Sequence, residues 1–152
     1  MVSQFEVTEL AQSPALSISA KCPVQTLPSV IGESLGKMRT YLDEIGEKPA
    51  GPPYLLYFNQ DMQNLDVEIG LPVRKALRGL DEIESNMTLG GSVASCIYEG
   101  PYEGMQSAYA QLDEYLKKER LTPKGIACEV YLNDPGQTPP EKLQTRIMFA
   151  LA

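Results

Sequence analysis

The chain has 152 residues, enough for one domain, and its 43% apolar and 22% charged content is ordinary for a globular protein. A formal charge of −7 argues against nucleic acid as a direct partner, since that affinity rests on neutralising phosphates; no apolar run is long enough to span a membrane, and Met1–Glu6 lacks the basic and apolar regions of a secretory signal. With no histidine and only three scattered cysteines, Cys22, Cys96 and Cys128, the sequence excludes a serine–histidine–aspartate triad, a cysteine–histidine pair and any histidine-containing zinc site. It reads as a cytoplasmic protein with reduced thiols, for which no metal or cofactor is expected; acid–base chemistry would fall to carboxylates, tyrosines or lysines.

Gln4–Leu10 reads as a first strand and Leu16–Lys21 as a second, the latter alternating Leu16, Ile18 and Ala20 with Ser17, Ser19 and Lys21. Pro28 suits the first turn of a helix whose apolar face is Ile31, Leu35, Met38, Leu42 and Ile45, stopped by Gly46 and Pro49. Tyr54–Phe58 is an apolar strand, Asn59–Asn64 a turn, and Leu65–Val73 an alternating strand. Ile83–Leu89 and Ser92–Tyr98 read as a hairpin around Gly90-Gly91. Gly100-Pro101 opens a second helix with Met105, Tyr109, Leu112 and Leu116 on one face; strands Ile126–Leu132 and Leu143–Leu151 follow, with a turn at Asn133–Gln137 between them.

The order of elements repeats. Leu42-Asp43-Glu44 matches Leu112-Asp113-Glu114 at an offset of 70, Tyr57-Phe58-Asn59 matches Tyr131-Leu132-Asn133 at 74, and Leu65–Val73 matches Leu143–Leu151 at 78. The expected fold class is therefore α+β: an internal duplication of a strand-strand-helix-strand-strand unit, copy one at about 1–75 and copy two at about 79–152, giving two antiparallel sheets. In the strand after the second helix, Cys128, Val130 and Leu132 form the more apolar set and are expected under the helix, with an inert Cys128. Ala127, Glu129 and Tyr131 then line the opposite, concave side, as Leu55 and Tyr57 do in the first copy.

These blocks carry a resemblance. Tyr98-Glu99-Gly100-Pro101-Tyr102 before a helix with Ala108-Tyr109 and Leu112, then Glu129-Val130-Tyr131-Leu132-Asn133-Asp134-Pro135, then Leu143-Gln144-Thr145, are similar in order and type to the DNA-gyrase-inhibitor-like (GyrI-like) effector-binding domains of bacterial multidrug-responsive regulators. The resemblance covers nearly the whole chain. It implies a ligand cleft between pseudo-symmetric halves, with a buried glutamate, here Glu129, facing aromatic side chains and meeting hydrophobic, often cationic, compounds. Family regulators join this domain to a DNA-binding module. The first strand here begins within a few residues of Met1, so the expectation is a stand-alone member. Some stand-alone members are hydrolases that open cyclopropane rings of genotoxic natural products; others bind gyrase or sequester drugs.

The candidate ligand-binding residues are Glu129, Tyr131, Tyr57, Leu55, Tyr98 and Phe149. Glu129 lies in an apolar strand, where a carboxylate is costly unless paired, and burial among aromatic rings would raise its pKa; composition by itself also allows a solvent-facing glutamate. Tyrosine walls suit planar and cationic ligands. Phe149 falls either on the ligand side or in the helix-side core, and Tyr98 and Tyr102 flank a corner that is either structural or part of the site. Two functions are open: a binding module that captures a hydrophobic or cationic small molecule, and a hydrolase in which Glu129 activates or orients water while Tyr98 or Tyr131 stabilises charge on the substrate oxygen. A protein partner, gyrase or a separate regulator, follows from the family alone.

Overall fold

The computed structural model describes residues 1–152. Eight strands and two helices follow one another as β1 (Glu6–Leu10), β2 (Pro14–Cys22), α1 (Leu27–Glu44), β3 (Tyr54–Tyr57), β4 (Leu65–Pro72), β5 (Glu84–Met87), β6 (Gly91–Glu99), α2 (Met105–Lys118), β7 (Pro123–Tyr131) and β8 (Gln144–Leu151). The fold is α+β with antiparallel pairing throughout the named strand pairs, and the elements fall within a few residues of those expected. No helix is long and apolar enough to cross a membrane.

The chain folds as two compact units, Ala11–Leu89 and Met1–Leu10 with Gly90–Ala152. In the first, β3, β4, β2 and β5 pair in that order, with α1 burying Leu27, Leu35, Met38 and Leu42. In the second, β7, β8, β6 and β1 pair in that order, and α2 buries Met105, Ala108, Leu112 and Leu116 against Ala94, Cys96, Tyr98 and Ile147. The hairpin expected around Gly90-Gly91 is not formed. β5 pairs with β2, and β6 pairs with β8 and β1. An alternating strand carries no label for its partner, so a short loop between two strands suggested a local pairing that long-range pairing replaced.

The pairing registers repeat as the sequence offsets do. Leu55 faces Ile69 and Tyr57 faces Val67; in the other unit Glu129 faces Ile147 and Tyr131 faces Thr145. The helices need a correction. Both end at equivalent points, Glu44 and Lys118, but α1 has 18 residues and α2 has 14, the extra turn lying at the α1 N-terminus. The burial patterns therefore align Met38 with Leu112 and Leu42 with Leu116, an offset of 74 rather than 70. The repeated Leu-Asp-Glu therefore pairs a buried leucine with one that is a helical turn out of step, Leu42 with Leu112.

Close backbone approach explains two glycines. A Cβ on Gly70 would lie 2.0 Å from the Tyr54 ring, so that ring rests directly on the β4 backbone. Gly100 has a φ of +147°, and a Cβ there would lie 2.8 Å from the Tyr98 hydroxyl. Only glycine combines that backbone conformation with that contact.

Candidate functional site

A strand alternates its side chains, so every second residue of β7 and its register partners share a face. One face carries Ala127, Glu129 and Tyr131 with Phe149, Ile147 and Thr145 of β8 and Ala94, Cys96 and Tyr98 of β6. That is the α2 side, because Cys96, Tyr98 and Ile147 belong to the core under the helix. The expectation was the reverse. Cys128 sits on the other face, in one row with Met148 and Ser95. The apolar character of Cys128 and Val130 misled because both faces here are buried: Cys128, Met148 and Ser95 are as enclosed as Cys96 and Ile147. With buried residues on both faces, comparing their average polarity does not choose between them.

Glu129 is 6% exposed. Its two carboxylate oxygens accept separate phenol hydrogen bonds: Tyr109 donates to Oε2 at 2.5 Å, and Tyr131 donates to Oε1 at 2.9 Å. Tyr109 comes from the inner face of α2 and Tyr131 from two residues along the same strand, so helix and sheet both fix the carboxylate. Each ring is backed by another. Tyr109 lies 5.8 Å from Phe149 and Tyr131 lies 5.9 Å from Tyr102, centroid to centroid. Burial, then the negative charges of Glu129 and Asp134, push the Tyr102 hydroxyl above its ordinary value. The side chains make an aromatic enclosure around one fixed carboxylate. It can offset a cation, stack a planar group, or hold a polar hydrogen against a carboxylate oxygen.

Of the residues expected in the site, Glu129, Tyr131 and Phe149 come together here. Tyr98 does not join them through its hydroxyl, which donates to the Pro101 carbonyl at 2.7 Å and pins the corner before α2. Leu55 and Tyr57 belong to the unit Ala11–Leu89, on the sheet face they share with Ile69 and Val67. Cys96 is inert to ionisation near neutral pH, since burial pushes its thiol up to about 11.

Tyr109 is the residue that sequence reasoning took for helix core. The signal was present but depended on the helix offset. At 74, Tyr109 aligns with Leu35, and Glu129 with Leu55, so a buried Leu–Leu combination in one unit becomes Tyr–Glu in the other. At 70 that correspondence is invisible.

A family model for GyrI-like small molecule binding domains matches residues 3–152. The chain belongs to the GyrI-like family. No curated protein sequence matches it. Among solved structures it is similar to EcmrR, both as the isolated C-terminal domain (TM-score 0.80, 18% identity, 98% of this chain and 97% of that one) and within a complex with DNA (TM-score 0.84, 17% identity, 97% of this chain). In that complex the chain spans 57% of EcmrR. It is also similar to SAV2435 bound to tetraphenylphosphonium (TM-score 0.69, 11% identity, 98% and 94% covered) and to a hydrolase from Listeria innocua (TM-score 0.68, 14% identity, 98% and 92% covered). At these identities the likeness is one of fold.

Proposed function

We propose that this GyrI-like domain captures hydrophobic cations, with Glu129 as the countercharge and Tyr131, Tyr109, Tyr102 and Phe149 as aromatic walls. The carrying observation is the buried carboxylate held at both oxygens by phenols. Two phenol hydrogen bonds hold the carboxylate in one position in an enclosed place, and surrounding rings attract cations through their faces. The family is one of small-molecule binding domains, and the similar SAV2435 is a tetraphenylphosphonium complex, which supports the same ligand class here. Three free, buried cysteines fit a cytoplasmic setting for this role.

The test is calorimetric titration with tetraphenylphosphonium at neutral pH. The wild type binds, and Glu129→Gln, of the same shape without the charge, binds at least tenfold more weakly. Equal binding by both proteins, or none by either, refutes the role of Glu129.

The same geometry supports a second reading, hydrolysis of a strained cyclopropane, because a carboxylate with phenols at hydrogen-bond distance can orient and deprotonate water for attack on a ring carbon while a phenol donates to the substrate oxygen that takes up the electrons of the broken carbon–carbon bond. Tyr131 or Tyr109 would be the phenol, since the Tyr98 hydroxyl is engaged at Pro101. Incubation with a cyclopropane-containing alkylator and mass spectrometry separates the two readings. A product heavier by one water that disappears in Glu129→Gln supports hydrolysis; an unchanged, bound compound rules it out for that substrate.

A further inference from the structure

The sheet face around Glu129 differs from its counterpart in the other unit at a further buried position. Thr145 occupies the place of Val67: each faces the equivalent tyrosine, Tyr131 or Tyr57, across a strand pair. Thr145 is fully buried, and its Oγ1 has no hydrogen-bond partner in the chain. Threonine and valine have nearly the same shape, so valine would fill the space, as Val67 does in its own unit. The hydroxyl therefore adds a desolvation cost without adding to the packing.

Its surroundings leave it unsatisfied for a definable reason. In register, Thr145 lies between Tyr131 and Tyr98. Both phenols are committed elsewhere, Tyr131 to Glu129 and Tyr98 to the Pro101 carbonyl. Thr145 shares the face of Glu129 and sits two residue pairs along the β7–β8 ladder from it, the next pair on that face. Diagonal neighbours of this kind lie roughly 7 Å apart, a span that one small cationic group can bridge.

We propose that Thr145 is a specificity-determining residue of the Glu129 site, its hydroxyl accepting a hydrogen bond from an N–H of a bound protonated amine. The inference rests on the reading of Glu129 as a cation site and adds the class of cation. Amines that carry N–H satisfy Thr145; fully substituted ammonium and phosphonium ions do not. Tyr131, the cross-strand partner of Thr145, lies on the same face. The ring neighbour of Tyr131, Tyr102, is 39% exposed, so the aromatic wall beside Thr145 borders solvent.

The test uses a matched pair of cations, diphenylmethylammonium and its N,N,N-trimethyl counterpart, titrated into wild type, Thr145→Val, Thr145→Ser and Glu129→Gln. Any preference that Glu129 itself creates for N–H is common to wild type and the Thr145 variants, so the ratio of the two affinities is the readout. In Thr145→Val the ratio falls about fivefold, while affinity for the trimethyl cation stays within about twofold of wild type. Thr145→Ser, which retains a hydroxyl, keeps the ratio. An unchanged ratio in Thr145→Val, or an equal loss for both cations, overturns the inference and leaves the cation site standing if Glu129→Gln weakens both. If neither cation binds the wild type, the cation reading falls and this inference falls with it.

Discussion

Replacing Tyr109 by phenylalanine removes one hydroxyl and leaves the ring against Phe149. The lost contact is a 2.5 Å hydrogen bond to a carboxylate that is almost fully buried. Hydrogen bonds to charged groups contribute about 1.5–3 kcal/mol, and the upper half of that range applies where water cannot replace the donor. For a chain of 152 residues, that corresponds to a fall in melting temperature of roughly 5–12 °C. The single variant does not isolate the pair, because Glu129 also accepts from Tyr131. A double-mutant cycle with Glu129→Leu, which installs the residue found at the equivalent position 55, does so. Urea denaturation of the four proteins at pH 7 yields the coupling. Tyr109→Phe is expected to cost about 2–3 kcal/mol in the wild type and little or nothing beside Leu at 129. Equal costs in both backgrounds would show that the hydroxyl does not act through the carboxylate, and the aromatic enclosure would then be packing alone.

Two further predictions concern the unit Ala11–Leu89. Gly70→Ala places a methyl group 2.0 Å from the Tyr54 ring and is expected to cost about 2 kcal/mol or more, read by denaturation; pairing it with Tyr54→Ala should recover part of that loss. Glu68 has its pKa raised above 4.5, first by burial and then by the charge of Glu84, with the Asn86 hydrogen bond opposing. The folded state thus holds this proton more tightly than the unfolded chain does, and the ionised group weakens the fold at neutral pH. The penalty fades as pH falls through the raised value. Glu68→Gln should therefore be more stable than wild type at pH 7, with the gap narrowing toward pH 4; a gap that widens on acidification would contradict the assignment.

Periodicity alone located the secondary structure. Leu35, Met38 and Leu42 recur at helical spacing, and Leu65–Val73 and Leu143–Leu151 alternate, because burial on one face imposes those periods. It flagged Glu129 as a carboxylate between Cys128 and Val130 in an apolar strand, and the resemblance to GyrI-like domains made it the expected buried site residue. Three things lay beyond it. Which strand pairs with β5 or β6 depends on contacts between residues distant in the chain, and an alternating strand is compatible with many partners. Which face of β7 meets α2 was misjudged because both faces bury residues, so the apolar character of Cys128 carried no direction. Tyr109 had no reason to stand out on the helix until the extra turn of α1 set the alignment that places it opposite Leu35. Local sequence specifies period and propensity, which act between neighbours; the partner of a buried charge is chosen by packing across elements, and only the folded chain brings the Tyr109 hydroxyl to Glu129.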